Sequence, residues 1–121
     1  MDYTFSAAFE MMCDTGNRDV GDEGFAMMKS LADAGDMTAA ANLGYFCSMR
    51  HTGHHDVAMC RAYLGRAVEA GDPLGQFYMG EMLLFGDHPF ERDPVYGKWL
   101  LESSAAAGNE DAQTLLARRY G

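Results

Sequence analysis

Small and apolar residues recur along this chain with a spacing close to 36. The tripeptide Ala34-Gly35-Asp36 returns as Ala70-Gly71-Asp72 and as Ala107-Gly108-Asn109, so successive glycines lie 36 and 37 residues apart. Counted from each glycine, the fourth residue is small, the eighth is apolar, the ninth is small and the twelfth is apolar or aromatic. Steps of four, one and three place these positions on one helical face. A period of this length is typical of stacked helical pairs.

The same pattern predicts where helices begin and end. Asp and Asn side chains cap helix starts, and each repeat glycine suits the end of a second helix. Small residues at the ninth position let the next helix pack close, at some cost in helix propensity. No long alternating run indicates a strand. The sequence predicts seven helices, near residues 4–15, 22–34, 37–50, 56–70, 73–86, 94–107 and 110–120.

The period also predicts the domain organisation. The 121 residues form one domain, with repeats at about 1–36, 37–72 and 73–109 and a partial repeat at 110–121. The first repeat is a degenerate copy of the others.

Two repeats carry more specific motifs, ANLGYF followed by AYLGRAVEAG and FYMGEMLLFG followed by KWLLESSAAAG. They resemble the Sel-one-like (Sel1-like) repeat family, relatives of the tetratricopeptide repeats, over about residues 22–121. The resemblance implies an all-α fold, a right-handed α-α superhelix (solenoid) of about three helical hairpins plus a terminal helix. It also implies that first helices line a concave surface and that the protein acts as an adaptor, scaffold or inhibitor of other proteins. The resemblance implies no catalytic chemistry, so we expect no enzyme activity and no cofactor.

The chain departs from the family pattern at three positions. Arg50 stands where the first helix usually closes with Gly, Gly97 replaces the usual Ala of the second helix, and Trp99 sits one place early. The regular cysteine pairs of some secreted members are also lacking, which argues against that branch of the family.

Charge narrows the class of partner. Eighteen acidic against nine basic side chains give a net charge of -9, which disfavours a phosphate backbone and hence nucleic acid. A basic protein is the better electrostatic match, although acid could equally serve only to keep the domain soluble. No stretch approaches ~20 apolar residues, so no membrane association is expected. Three cysteines without a CxxC pair suggest reduced thiols, and we expect a cytoplasmic protein.

A candidate partner-binding set comes from the first helices. Residues one or two places beyond the packing positions point away from the packed face, and large apolar side chains there would anchor a partner. The alternative is that these side chains fill the solenoid core. The set comprises Met11, Tyr45, Met49, Phe77, Glu81, Phe85 and Arg118.

One cluster could bind metal. Cys47 and His51 are four apart on one helix face, and His54 and His55 follow in the turn, a mixture of thiol and imidazole that suits zinc. A purely structural role is the alternative to a metal site, because Cys47 occupies a packed position of the repeat. No phosphate loop, dinucleotide fingerprint or HExxH motif is present.

The sequence therefore predicts a cytoplasmic, non-enzymatic protein-binding module that uses a concave groove. An immunity-type inhibitor of a basic toxin is the specific hypothesis. The alternatives are a general adaptor or scaffold in signalling or assembly, and a zinc-binding protein. Homo-oligomerisation by end stacking is a further hypothesis.

Overall fold

The computed structural model describes residues 18–50 and 52–121, and helices make up most of these ranges. The described helices are α1 (Arg18–Asp33), α2 (Met37–Cys47), α3 (Val57–Glu69), α4 (Pro73–Phe85), α5 (Pro94–Ala106) and α6 (Glu110–Tyr120). No strand occurs within the described ranges, so the predicted all-α class is confirmed. The predicted helix near residues 4–15 lies outside them.

Side-chain caps begin α2, α3, α4, α5 and α6. In each case a carboxylate or amide oxygen accepts a hydrogen bond from the backbone N–H three residues further on, which satisfies one of the free amides of the first turn. The predicted caps are confirmed at Asp36, Asp56, Asp72, Asp93 and Asn109. The repeat glycines Gly35, Gly71 and Gly108 follow the ends of α1, α3 and α5 with φ of 106°, 75° and 100°, a region that favours glycine.

The predicted end of α2 at residue 50 is wrong, because the helix ends at Cys47. The amides of Ser48 and Met49 bond to carbonyls three residues back, which tightens the last turn. The carbonyl of Cys47 then accepts a hydrogen bond from the amide of Asp56, the cap of α3. Arg50 therefore lies in the turn that follows the helix, with its Nη2 2.9 Å from Nδ1 of His88.

The helices pack as successive antiparallel pairs, with α2 against α3 and α4 against α5 forming the most extensive contacts. Further contacts join α1 to α2, α3 to α4, α2 to α4 and α5 to α6. One large apolar cluster runs through α1 to α5, and a smaller one, of Leu84, Leu101 and Ala112, joins α4, α5 and α6.

Glycines set the closeness of both complete hairpins. A Cβ at Gly44 would lie 2.8 Å from the amide nitrogen of Leu64, and one at Gly80 would lie 3.0 Å from the carbonyl oxygen of Gly97. The close packing predicted for the ninth position is confirmed in these two hairpins. Gly97 departs from the family pattern for the same reason, since a Cβ there would lie 2.8 Å from the carbonyl oxygen of Gly80.

Hydrogen bonds between side chains join α2 to α4 and its cap. Thr38 donates to the carboxylate of Asp72 over 3.0 Å, and the hydroxyl of Tyr78 donates to the side-chain oxygen of Asn42 over 2.9 Å. These bonds fix the relative register of α2 and α4. The two first helices are thereby held side by side, with their remaining faces available to form one surface.

Candidate functional site

An aromatic pair lies where α2 meets α4. The rings of Tyr45 and Tyr78 stack with centroids 4.3 Å apart and an interplanar angle of 9°, and the ring of Phe77 lies 5.8 Å from that of Tyr78. The structure therefore joins two residues of the predicted partner-binding set, Tyr45 and Phe77, through a residue that was not in it. Tyr78 occupies the repeat position of Asn42, but that 36-residue spacing alone does not predict that the rings of Tyr45 and Tyr78 meet.

Negative charge adjoins these rings. Glu81, on α4, is half-buried, and burial together with the nearby carboxylates of Asp87 and Asp111 raises the pKa of Glu81. Burial, with the charges of Glu81 and Asp87, likewise raises the pKa of Tyr45. None of the ion pairs in the described ranges involves Glu81. The side chain thus carries a charge that no cation of the described chain neutralises.

We call this region the aromatic–acidic surface. It consists of Tyr45, Phe77, Tyr78, Glu81, Asp87 and Asp111. Its residues come from α2, α4, the turn after α4 and the first turn of α6.

The predicted set differs in burial from one member to the next where the structure describes it. Met49 is partly buried against the large apolar cluster, and Phe77 packs in part against the smaller one. Phe85 is 47% exposed, and the guanidinium carbon of Arg119 lies 5.4 Å from its ring centroid. Arg118 is exposed on α6, and Met11 lies outside the described residues.

The four candidate metal ligands have separate surroundings where the structure describes them. Cys47 is fully buried, and burial is the main reason that the pKa of its thiol is raised to about 12. A thiol with such a pKa is protonated at neutral pH, whereas zinc binds the thiolate. His51 lies outside the described residues.

The two remaining histidines have different neighbours. Nε2 of His54 lies 2.9 Å from a carboxylate oxygen of Asp22, and its imidazole stacks on Phe25 with centroids 4.3 Å apart. Nε2 of His55 lies 2.8 Å from Nε2 of His88, on the turn between α4 and α5. Within the described ranges, no group of three or more His, Cys, Asp or Glu side chains is arranged to hold a metal ion.

None of the helices in the described ranges is both long and apolar enough to cross a lipid bilayer. No protein-family model matches this sequence, and none of the curated proteins matches it.

Helical hairpins repeated at this pitch and tied side by side define an α-solenoid. More particularly, the chain has the Sel1-like repeat fold. It is similar to the crystal structure of a Sel1 repeat protein from Oxalobacter formigenes, with a TM-score of 0.67, 29% sequence identity and coverage of 94% of this chain and 88% of that chain. The predicted solenoid class and the resemblance to Sel1-like repeats are confirmed. The fold is typically a non-enzymatic scaffold for protein interaction, and the match supports a protein-binding repeat module.

Proposed function

We propose that this module binds a basic protein on the aromatic–acidic surface. The observation that carries the proposal is Glu81, a half-buried carboxylate beside the Tyr45–Tyr78 stack that no cation of the described chain neutralises. Holding such a charge away from water destabilises the fold. A lysine or arginine from a partner would form an ion pair with Glu81, and the neighbouring rings would favour the same cation through their π faces.

The overall charge supports the same class of partner. With eighteen acidic and nine basic side chains, the protein attracts a basic surface over distances of about a Debye length, ~8 Å at physiological salt. Such attraction raises the association rate and selects against acidic proteins. The stacked rings add rigid apolar area, which supplies much of the energy at interface centres. In this proposal α2, α4 and α6 line the concave side of the solenoid.

As the specific biological role we propose a cytoplasmic, non-catalytic inhibitor of a basic toxin, an immunity-type protein. Occupying one basic surface is enough for this role and calls for no chemistry. A general adaptor or scaffold in signalling or assembly is the second candidate within the same class. Recovery of several unrelated partners from cells would favour the adaptor, whereas a single basic partner would favour the inhibitor.

Reversing the charge of Glu81 tests the proposed surface. We expect the wild-type protein to capture a basic partner from the native cell, and Glu81→Lys to lose it. The matched control is Glu69→Lys, which makes the same charge change at an exposed position on α3 and should retain the partner. Equal capture by both variants, or capture of an acidic protein only, would overturn the proposal.

Truncating the rings separates partner binding from packing. We expect Tyr45→Ala with Phe77→Ala to weaken partner capture while circular dichroism shows nearly unchanged helical content. Loss of helical content in the double variant would show that these rings belong to the core.

Self-association by end stacking is a separate candidate. Ala117 on α6 occupies the ninth repeat position, as Gly44 and Gly80 do, yet Ala117 is exposed whereas the two glycines are buried beneath a second helix. We propose that this open helix can stack on another copy. Light scattering over a concentration series tests it, and association should disappear in Ala117→Glu.

A further inference from the structure

The outer face of α5 exposes large apolar side chains. Val95 is 82% exposed, Trp99 59% and Tyr96 42%. The rings of Tyr96 and Trp99 stack with centroids 6.0 Å apart, and Val95 lies one turn before Trp99 on the same side of the helix. These three residues therefore form one continuous apolar patch, which we call the α5 patch.

The repeat pattern does not require large side chains at the positions of Val95 and Trp99. The residues at the places of Val95 and Trp99 in the two preceding second helices are Ala58 and Ala62 on α3 and Asp22 and Ala26 on α1. All four are exposed, so this stripe faces solvent in each repeat rather than the core. The valine and tryptophan of α5 thus serve no packing role within the described chain.

The one-place shift of the tryptophan accounts for this exposure. Leu100 is fully buried in the apolar cluster, at the repeat position where Tyr63 is buried in α3. Leu100 therefore fills the core and leaves Trp99 on the outside. Burying large apolar side chains is worth about 25 cal/mol for each Å² removed from water, so the α5 patch favours a covered state.

Charges beside the α5 patch indicate what covers it. Lys98 and Glu102 lie one turn apart, on either side of Trp99 along the helix. Glu102 is exposed, and no ion pair in the described ranges includes it. The ammonium of Lys98 lies 4.5 Å from the ring centroid of Tyr120. A face with one cation and one anion separated by a turn is complementary to itself, because a twofold axis brings each charge opposite its counterpart.

We propose that two copies of this chain pair through the α5 patch about a twofold axis, with the two helices antiparallel. Trp99 then lies near the axis, and Lys98 of each copy pairs with Glu102 of the other. This association goes beyond the binding function proposed above, because it uses α5 and leaves the aromatic–acidic surface free. The contact is one helix wide and belongs among the smaller interfaces, so we expect a weak dimer that dissociates on dilution.

Dilution of the full chain gives the first test. Trp99 is the only tryptophan, so its fluorescence reports on the patch directly. We expect the mass from sedimentation to rise towards that of a dimer with concentration, and the Trp99 emission to shift to the blue over the same range. A monomer at every concentration up to the solubility limit would overturn the inference.

Truncation identifies the surface that pairs. Trp99→Phe keeps an aromatic ring and should pair somewhat more weakly than the wild type, whereas Trp99→Ala should weaken the dimer about tenfold or more. Phe85→Ala is the matched control, since it removes an exposed ring from α4 outside the patch and should leave the dimer intact. A dimer that survives in Trp99→Ala would show that another surface associates.

Charge exchange tests the twofold geometry. Lys98→Glu alone sets carboxylates against carboxylates across the axis, and Glu102→Lys alone sets ammonium groups against each other, so each variant should dimerise less than the wild type at low salt. Mixing the two variants should restore pairing, because both contacts then join opposite charges. Absence of mixed dimers by native mass spectrometry would rule out the proposed arrangement.

Discussion

At the crossing of α2 and α3 a single glycine, Gly44, faces Cys60 and Leu64, whereas the crossing of α4 and α5 has a glycine on each helix, Gly80 and Gly97. Both hairpins follow the same repeat pattern. In the first, a Cβ at Gly44 would meet a backbone nitrogen and a side chain of the opposite helix, both at 2.8 Å. In the second, a Cβ at Gly97 would meet two backbone atoms of α4 at 2.8 Å, and backbone cannot rotate away. Both hairpins thus lack room for a Cβ at the ninth position of the first helix, and the α4–α5 hairpin lacks it at Gly97 on the second helix as well.

A polar contact distinguishes the same two hairpins. Ser104 on α5 is fully buried and donates to the carbonyl oxygen of Pro73 over 2.6 Å. The corresponding position on α3 is Ala67, also fully buried but without a side-chain hydrogen-bonding group. The α4–α5 hairpin thus combines a glycine on each helix with a directional bond to the start of α4.

The largest expected effect is at the paired glycines. We expect Gly97→Ala to lower the free energy of unfolding by about 3 kcal/mol, because the new Cβ forces two helix backbones apart. Cys60→Ala, at the same repeat position in the α2–α3 hairpin, removes only a buried sulfur and should cost about 1 kcal/mol. Urea unfolding followed by circular dichroism measures both, and equal losses would show that the two crossings do not differ in closeness.

A smaller effect is expected at the buried serine. Ser104→Ala removes the hydrogen bond that a fully buried hydroxyl donates to the carbonyl oxygen of Pro73, at a cost of about 1 kcal/mol in the free energy of unfolding. Ser103→Ala is the control, since the hydroxyl of Ser103 bonds only to the carbonyl of Trp99 within its own helix. Urea unfolding followed by circular dichroism measures both variants. If Ser103→Ala lowers the free energy of unfolding as much as Ser104→Ala does, the bond to Pro73 does not distinguish the hairpins.

The smallest expected effect concerns the tenth repeat position, where α2 has Tyr45 and α4 has Glu81. The pKa of Glu81 is raised in the folded state, so ionising it destabilises the fold, and stability falls as pH rises from the unfolded-state pKa through the folded-state value. Glu81→Gln removes this penalty. We expect a slightly higher free energy of unfolding at pH 7, a gain that vanishes in acid below the unfolded-state pKa, and weaker binding of a basic partner. Lower stability at pH 7 would contradict this account.

Sequence periodicity predicted the helices well because their signals are local. The caps at Asp36 and Asp72 depend only on the residues that follow them in their own helices, and the small residues at Gly44 and Gly80 recur at a fixed place. The end of α2 was missed, and the carbonyl of its last residue, Cys47, bonds to the amide of Asp56, nine residues away. No local signal could place that contact.

The candidate surface was predicted in part. Tyr45 and Phe77 are brought together, but the ring that joins them, Tyr78, lies at a repeat position that elsewhere holds Asn42 and Leu115. Its role depends on how α2 and α4 lie side by side, which the period alone does not give. Similarly, the stacking of His54 on Phe25 depends on how α1 lies against the turn after α2.

Asp72 has two simultaneous duties: one carboxylate oxygen accepts from the amide of Gly75 in α4, and the other accepts from the hydroxyl of Thr38 in α2. Opening of α2 therefore weakens the anchoring of α4, and fraying at the start of α4 frees a side chain of α2. In a linear array, such coupling between neighbours sets how far a local opening spreads. The two hairpins should consequently melt together as one cooperative unit.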